Sequence, residues 1–223
     1  MKDRAYTLLA LLAANDRLGQ SQVHRTMLVK QAFLAETIRP LYRIWLQSFD
    51  FVRYYYGPYS AEVFDRLDTL IFSGLVEVTT AERRGGRLEA RYKITKSGHQ
   101  LLDQVGPSPI LSLAMDLIWG LQSLGIEQVS TICKLVYHEA EFARIFAQHT
   151  EEGIGAETKV PIPSVTTANN ETFIVLATLQ ELQRSGGEQA QHSLPSREVV
   201  RLFLQSLALQ VPRVRGVTQE GAE

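Results

Sequence analysis

Hydrophobic positions in the first quarter of the chain follow helical spacing and then change to a shorter period. Apolar residues over 6–13 predict a first helix that stops by Gly19. A second helix is expected over 25–36, with one apolar face formed by Met27, Leu28, Ala32 and Ala35. The segment 51–56 crowds aromatic and β-branched residues together, which is typical of a strand, and Gly57 begins the turn that ends it.

A capped helix follows this turn. Ser60 is the expected N-cap, because its hydroxyl can accept a hydrogen bond from the free backbone amides of the next turn. The helix should run to about Ser73, and Gly74 allows a left-handed exit. Its apolar residues fall at the spacing of a buried stripe: Val63, Phe64, Leu67, Leu70 and Ile71.

Alternating residues then predict a β-hairpin with a basic tip. The positions expected to share a face are Val76, Val78 and Thr80 in the first strand and Leu88, Ala90, Tyr92 and Ile94 in the second. The glycine pair at 85–86 permits the positive φ of a tight reversal. Thr95 should cap a last helix, which we expect to fold back on the sheet through Leu101, Leu102 and Val105.

The second half of the chain is predicted to be helical and associative. Helical apolar spacing recurs over 110–124, 129–137 and 199–209. The last of these helices is apolar around much of its circumference, so it must be buried, either within this chain or between two chains. We predict a homodimer, with an intrachain helical core as the alternative.

Composition and charge narrow the class of protein. The chain has 223 residues, of which 45% are hydrophobic and 21% charged, as expected of a soluble globular protein. The net charge of −1 excludes a wholly basic nucleic-acid coat, although basic residues are in excess before residue 106 and acidic residues after it. No membrane span or signal peptide is expected, and a single cysteine fits a reducing cytoplasm.

The order helix, helix, strand, helix, hairpin, helix is that of a winged helix, and three motifs add a family resemblance. These motifs are Leu28-x-Lys30-x-x-Phe33-Leu34, Tyr55-Tyr56-Gly57-Pro58-Tyr59-Ser60 and Tyr92-Lys93-Ile94-Thr95-Lys96-Ser97-Gly98. They are supported by Leu70-x-x-x-Gly74-Leu75-Val76. Over about 25–104 the chain resembles the YwgA-like proteins of bacteria and archaea, and more distantly the SocA/Panacea antitoxin domain. The resemblance implies a winged helix-turn-helix fold and a bacterial or archaeal setting.

The predicted fold class is mainly α with a small antiparallel sheet: a winged helix-turn-helix domain followed by a helical C-terminal region. Two prolines and a glycine over 106–109 cannot continue a helix, so the first domain should end there. The predicted segments are the winged-helix domain 1–105, a helical extension 106–152, a connector 153–170, C-terminal helices 171–212 and a disordered tail 213–223.

The basic residues of the hairpin predict contacts with DNA phosphates. The candidates are Arg83, Arg84, Arg87, Arg91, Lys93 and Lys96. The capped helix, by contrast, exposes Glu62, Asp65 and Asp68 against Arg66 alone, so direct base readout by this helix is disfavoured. We therefore expect a cytoplasmic, non-catalytic DNA-associated regulator or accessory factor.

The alternative is an antitoxin-like or defence-system adaptor that binds a protein partner rather than DNA. Tyr55 and Tyr59 are the two tyrosines of the turn that we expect to be exposed, and with Arg66 they form the candidate partner-binding set. A solvated arginine face and tyrosines packed in the core remain the plainer interpretations.

Residues for enzyme chemistry are not arranged in a recognisable pattern. The histidines lack the His-x-x-x-His spacing of a metal site, and no phosphate-binding glycine loop is present. His138 and Glu141 share a helix side, but an exposed polar face explains them better. Cys133 lies among apolar residues, which favours a packing role. No catalytic residue, metal or cofactor is expected.

Overall fold

The computed structural model describes residues 3–42, 44, 49–52, 58–84, 87–137 and 197–210. Over 81–84 and 87–89 it describes the backbone alone. These residues are mainly helical and include a small antiparallel sheet, as the sequence predicted, and this sheet has three strands. The predicted connector 153–170 and tail 213–223 lie outside the described residues, as do Tyr55 and the parts of the two predicted helical segments over 138–152 and 171–196.

Helix α1 (Asp3–Arg17) is the centre of the molecule. Every residue from Leu8 to Ala14 is at most 1% exposed, because three later helices and the sheet pack around α1. A helix that is apolar on all sides must be enclosed in this way. Helix α2 (Arg25–Ile38) follows and leads into a 3₁₀ turn (Arg39–Tyr42). The α-helix does not continue through Pro40, because proline has no backbone N–H to donate and its ring clashes with the preceding turn.

A short strand that the sequence did not reveal joins α1 to α2. Strand β1 (Val23–His24) pairs antiparallel with β3 (Arg87–Ile94), at Tyr92 and Arg91. The predicted strand over 51–56 is wrong in its described part, since Val52 forms only an isolated antiparallel bridge with Tyr59. Reciprocal backbone hydrogen bonds of 2.8 and 2.9 Å join these two residues. Val52 and Tyr59 therefore pair with each other across the turn.

Helix α3 (Ala61–Phe72) has the predicted apolar stripe, and Gly74 leaves it with φ +69°. Val63, Leu67 and Leu70 are buried. Ser60 occupies the N-cap position, but its side chain makes no capping hydrogen bond, which corrects the predicted role of the hydroxyl. The serine is 1% exposed, and its Oγ has no hydrogen-bond partner among the described residues.

The hairpin is present as predicted, formed by β2 (Val76–Arg84) and β3 (Arg87–Ile94), and the strand order is β1-β3-β2. Ala90, Tyr92 and Ile94 face the core. Val78 does not, being 44% exposed, and the register shifts between Val78 and Thr80. Such an irregularity increases the local twist of an edge strand and turns it away from the core.

Helix α4 (Lys96–Val105) is capped as predicted, because Thr95 Oγ1 accepts a 3.2 Å hydrogen bond from the Gly98 amide. A Cβ at Gly98 would lie 2.5 Å from the carbonyl oxygen of Leu75, so only glycine allows this close approach. Leu102 is buried, whereas Val105 is 55% exposed and does not pack on the sheet as expected. It lies in the final turn, just before the helix ends at Gly106.

Helices α5 (Pro109–Ser123), α6 (Val129–Tyr137) and α7 (Arg197–Gln210) complete the described structure. The hydrophobic core continues from the sheet and α1 into α5 and α7, across the predicted boundary at 106–109. Helix α7 packs on α5 so closely that a Cβ at Gly120 would lie 2.9 Å from Leu204 Cδ1. The apolar face of α7 is thus buried within this chain, and the homodimer stays a prediction. Within the described residues, every helix is too short or too polar to traverse a lipid bilayer.

Candidate nucleic-acid interface

The end of the hairpin brings basic residues of both strands together. The register pairs Arg84 with Arg87 and Arg83 with Leu88, and the next pair inward is Glu82 with Glu89. One basic pair and one acidic pair therefore occupy directly opposed register positions near the tip, where like charges are unfavourable. The side chains of Arg83, Arg84 and Arg87 lie outside the described residues.

Further along β3 and at the start of α4, the candidate phosphate ligands differ in their exposure to solvent and in whether a carboxylate lies near them. Arg91 is exposed and lies opposite Thr80. Lys93 is half-buried, and its Nζ lies 3.9 Å from Glu77 Oε1, so a carboxylate on the neighbouring strand partly balances its charge. Lys96 is exposed at the start of α4. Arg91 and Lys96 thus extend the positive charge of the tip towards the body of the molecule.

The outer face of α3 carries negative charge. Asp65 and Asp68 are exposed. Arg66 does not offset them, because its Nη2 donates a 3.1 Å hydrogen bond to Glu62 Oε1, which also accepts from Arg4 of α1. The structure therefore places Arg66 in a partly buried ion-pair network that fastens α3 to α1. A guanidinium held in this way is poorly placed to meet a partner.

Phe72, which the sequence analysis did not single out, is 91% exposed at the end of α3. The sequence contained a signal for it, because Phe72 falls outside the stripe of Val63, Leu67 and Leu70. A phenylalanine at an unburied helical position leaves a large apolar surface in water. The exposed Asp65 and Asp68 lie two turns and one turn before Phe72 on the same helix, a spacing that places all three on one face. This face therefore combines an aromatic side chain with negative charge.

The turn before α3 holds Tyr59 against the protein rather than in open solvent. Tyr59 is half-buried, and its ring centroid lies 5.5 Å from that of Phe64. The guanidinium carbon of Arg25 lies 3.9 Å from the centroid of the same Phe64 ring, a cation–π contact. Tyr59 therefore belongs to a small aromatic cluster that joins the turn to α3 and α2.

Buried charge in α2 fixes the same turn from the inside. Lys30 is 3% exposed, and its Nζ donates a 2.6 Å hydrogen bond to the carbonyl oxygen of Pro58. Burial lowers the pKa of Lys30 to about 8, partly offset by the Cys133 thiol of α6. Burying an ammonium group costs free energy, and the hydrogen bond from Lys30 to the turn offsets part of this cost.

Glu36 and Arg39 form a second buried pair, at the C-terminal end of α2. Burial raises the pKa of Glu36 to about 7, against the opposing effects of Arg39 and of a hydrogen bond from the backbone of Phe49. The pair ties the end of α2 to the chain that leads into the turn. In the described part of the chain, His, Cys, Asp and Glu side chains form no group of three that could hold a metal ion.

Comparison with known proteins adds a distant relationship. No family model matches the chain. It is 30% identical over 112 residues to the uncharacterized protein YwgA of Bacillus subtilis (strain 168). The match covers 49% of this chain and 63% of that protein, so the chain spans less than two thirds of its relative's length. The expected similarity to the SocA/Panacea domain stays a prediction, and the chain is related, at a distance, to a YwgA-like protein.

Proposed function

We propose that this protein is a non-catalytic winged-helix factor that associates with DNA through phosphate contacts of its basic hairpin. The order α1, β1, α2, α3, β2, β3 and the pairing of β1 with β3 support the winged-helix assignment. The observation that carries the function is the register of the hairpin, which opposes Arg84 to Arg87 at the tip. A phosphate bound there relieves the repulsion, and arginine suits phosphate geometry.

The contact is proposed to be with the DNA backbone rather than with base edges. Exposed Asp65 and Asp68 on α3 repel a polyanion, and readout of bases in the major groove favours arginine, lysine, asparagine or glutamine. Phosphate contacts set position and affinity without carrying sequence information. Duplexes of unrelated sequence are therefore expected to bind with similar affinity.

A salt titration tests this function. The affinity of the full chain for a short duplex is measured by fluorescence anisotropy over a range of salt concentrations, for the parent protein and for Arg84→Gln with Arg87→Gln. Removing one arginine–phosphate pair should reduce the slope of log affinity against log salt by about 0.9, so the slope of the double variant should be smaller by about 2. Arg201→Gln is the matched control, because Arg201 pairs with Glu198 on α7.

Two results would contradict the proposal: no binding at low salt, or an equal slope in the parent and the double variant. A reduced slope in Arg201→Gln as well would mean that net charge, rather than the hairpin, determines affinity. The Arg83→Ala plus Arg84→Ala variant provides a second test of the same surface, with the same expected direction.

A protein partner is the second candidate, and the exposure of Phe72 favours it. An aromatic side chain that is 91% exposed beside Asp65 and Asp68 fits a surface that offers an apolar pocket with basic residues around it. The chain would then act as an adaptor of the antitoxin or defence-system kind. A photoreactive residue at position 72 should cross-link such a partner in cells of the source organism, and the same residue at exposed position 104 should not.

A further inference from the structure

A surface cleft of about 580 Å³ lies between the end of α1, the turn from α4 to α5, and the start of α7. Its volume falls in the range of small-molecule sites. Leu102, Leu111 and Met115 give it an apolar wall, and Arg17 and Arg197 lie on its polar part. The cleft thus joins an apolar surface to two guanidinium groups that are far apart in the sequence.

The two acidic residues of the cleft already have partners. Asp116 Oδ2 accepts a 2.7 Å hydrogen bond from Tyr42, and Asp116 Oδ1 lies 3.8 Å from Arg197 Nε. Asp103 Oδ1 accepts a 3.0 Å hydrogen bond from Arg17 Nη2. Because each carboxylate faces an arginine, its negative charge is partly balanced within the cleft.

The arginines, in contrast, retain donors. A guanidinium carries five N–H groups, and Arg17 and Arg197 each contact one carboxylate oxygen. Their side chains are 36% and 57% exposed, so their remaining donors are accessible from solvent. The Ser112 side chain lies in the same cleft and can add a hydroxyl donor. Donors beside an apolar wall suit an anion with an apolar body.

We propose that this cleft binds a small organic carboxylate. The carboxylate lies between Arg17 and Arg197, and its apolar body rests on Leu102, Leu111 and Met115. Binding would join α1 to α7 and so stabilise the packing of α7 on α5. The proposal does not depend on DNA binding, because the cleft shares no residue with the hairpin.

Three probes with one apolar body and different head groups test the ligand class. Hexanoate, hexan-1-ol and hexylammonium are titrated into the full chain and followed by backbone amide chemical shifts. Hexanoate should bind saturably, with the largest shifts in residues around the cleft. The alcohol and the ammonium should bind about fivefold more weakly, since a partly exposed charge pair contributes up to about 1 kcal/mol.

Arginine variants locate the head group. Arg17→Gln and Arg197→Gln should each weaken hexanoate binding about fivefold. Arg201→Gln, on the same helix as Arg197 but outside the cleft, should leave it unchanged. Hexanoate should also slow amide hydrogen exchange over 197–210 in the parent protein, a readout that needs no variant to fold.

The proposal is overturned by absent saturable binding of hexanoate, by equal binding of the three probes, or by hexanoate affinity that neither arginine variant changes. Unchanged exchange over 197–210 at saturating hexanoate would overturn the predicted link between α1 and α7.

Discussion

The ammonium group of Lys30 on α2 donates a 2.6 Å hydrogen bond to the carbonyl oxygen of Pro58, in the turn before α3. The two residues lie in two of the motifs that carry the YwgA-like resemblance, and the structure brings those motifs into direct contact. A buried lysine at this position fixes where α3 begins. The orientation of α3, and through it the hairpin, therefore depends on a charge that the core encloses.

Alkaline pH should stabilise the protein through Lys30. Its pKa is about 8 in the folded chain and 10.5 in the unfolded chain, so between these values the unfolded chain binds more protons. The contribution of Lys30 to the free energy of unfolding should therefore rise across this window by up to about 3 kcal/mol, against the opposing effect of the raised pKa values of Cys133 and the buried tyrosines. Urea titrations at several pH values measure the rise. Lys30→Met should abolish it, whereas Lys134→Met, at an exposed position of α6, should preserve it.

Glu36 should act in the opposite direction at lower pH. Its pKa is about 7 when folded and 4.5 when unfolded, so its contribution to stability is complete below pH 4.5 and is lost as the pH rises through 7. Urea titrations between these values should show a larger fall in the free energy of unfolding in the parent than in Glu36→Gln, where the raised pKa of Asp116 still contributes a fall. A fall of equal size in Glu36→Gln would contradict the assignment, and exposed Glu127→Gln is the control.

Gly98→Ala should destabilise the hairpin's attachment to α4. The new methyl group would lie 2.5 Å from the Leu75 carbonyl and 2.6 Å from Ile94 Cγ1, so the backbone must shift. Overpacking of this kind costs about 1–3 kcal/mol. Thermal unfolding measures the loss, and Ser97→Ala, at the exposed neighbouring position, should change the melting temperature little.

Leu204→Ala should show that α7 belongs to the core of this chain. Leu204 is fully buried against α5, and truncation of such a leucine costs about 2–5 kcal/mol. Leu202→Ala is the matched control, because Leu202 is 45% exposed on the same helix. Equal effects of the two substitutions on the free energy of unfolding would contradict the intrachain packing of α7.

Elements whose signals are local could be predicted from the sequence. The hairpin, the Thr95 cap and the exit at Gly74 each depend on a few adjacent residues. Strand β1 could not be predicted, because two residues become a strand only through their partners Tyr92 and Arg91. The segment after Phe51 has strand-like composition, but composition alone did not reveal that Val52 pairs with Tyr59 rather than with a strand of the sheet.

In the candidate site, too, some features could be predicted from the sequence and others depend on tertiary packing. The exposure of Arg91 and Lys96 agrees with the expectation of a basic hairpin. The confinement of Arg66 could not be foreseen, because it depends on Arg4, which lies 58 residues before Glu62 and reaches the same carboxylate. The cleft between Arg17 and Arg197 likewise forms only when α1 and α7, far apart in the sequence, come together.

Amide hydrogen exchange of the full chain, measured with and without a DNA duplex, shows whether the hairpin is the part of the protein that contacts DNA. Exchange should slow over 80–91 of the hairpin, at low salt and for duplexes of unrelated sequence, and should stay unchanged over 61–72 of α3. Protection confined to α3, or no protection of the hairpin when DNA is saturating, would contradict DNA binding through the hairpin.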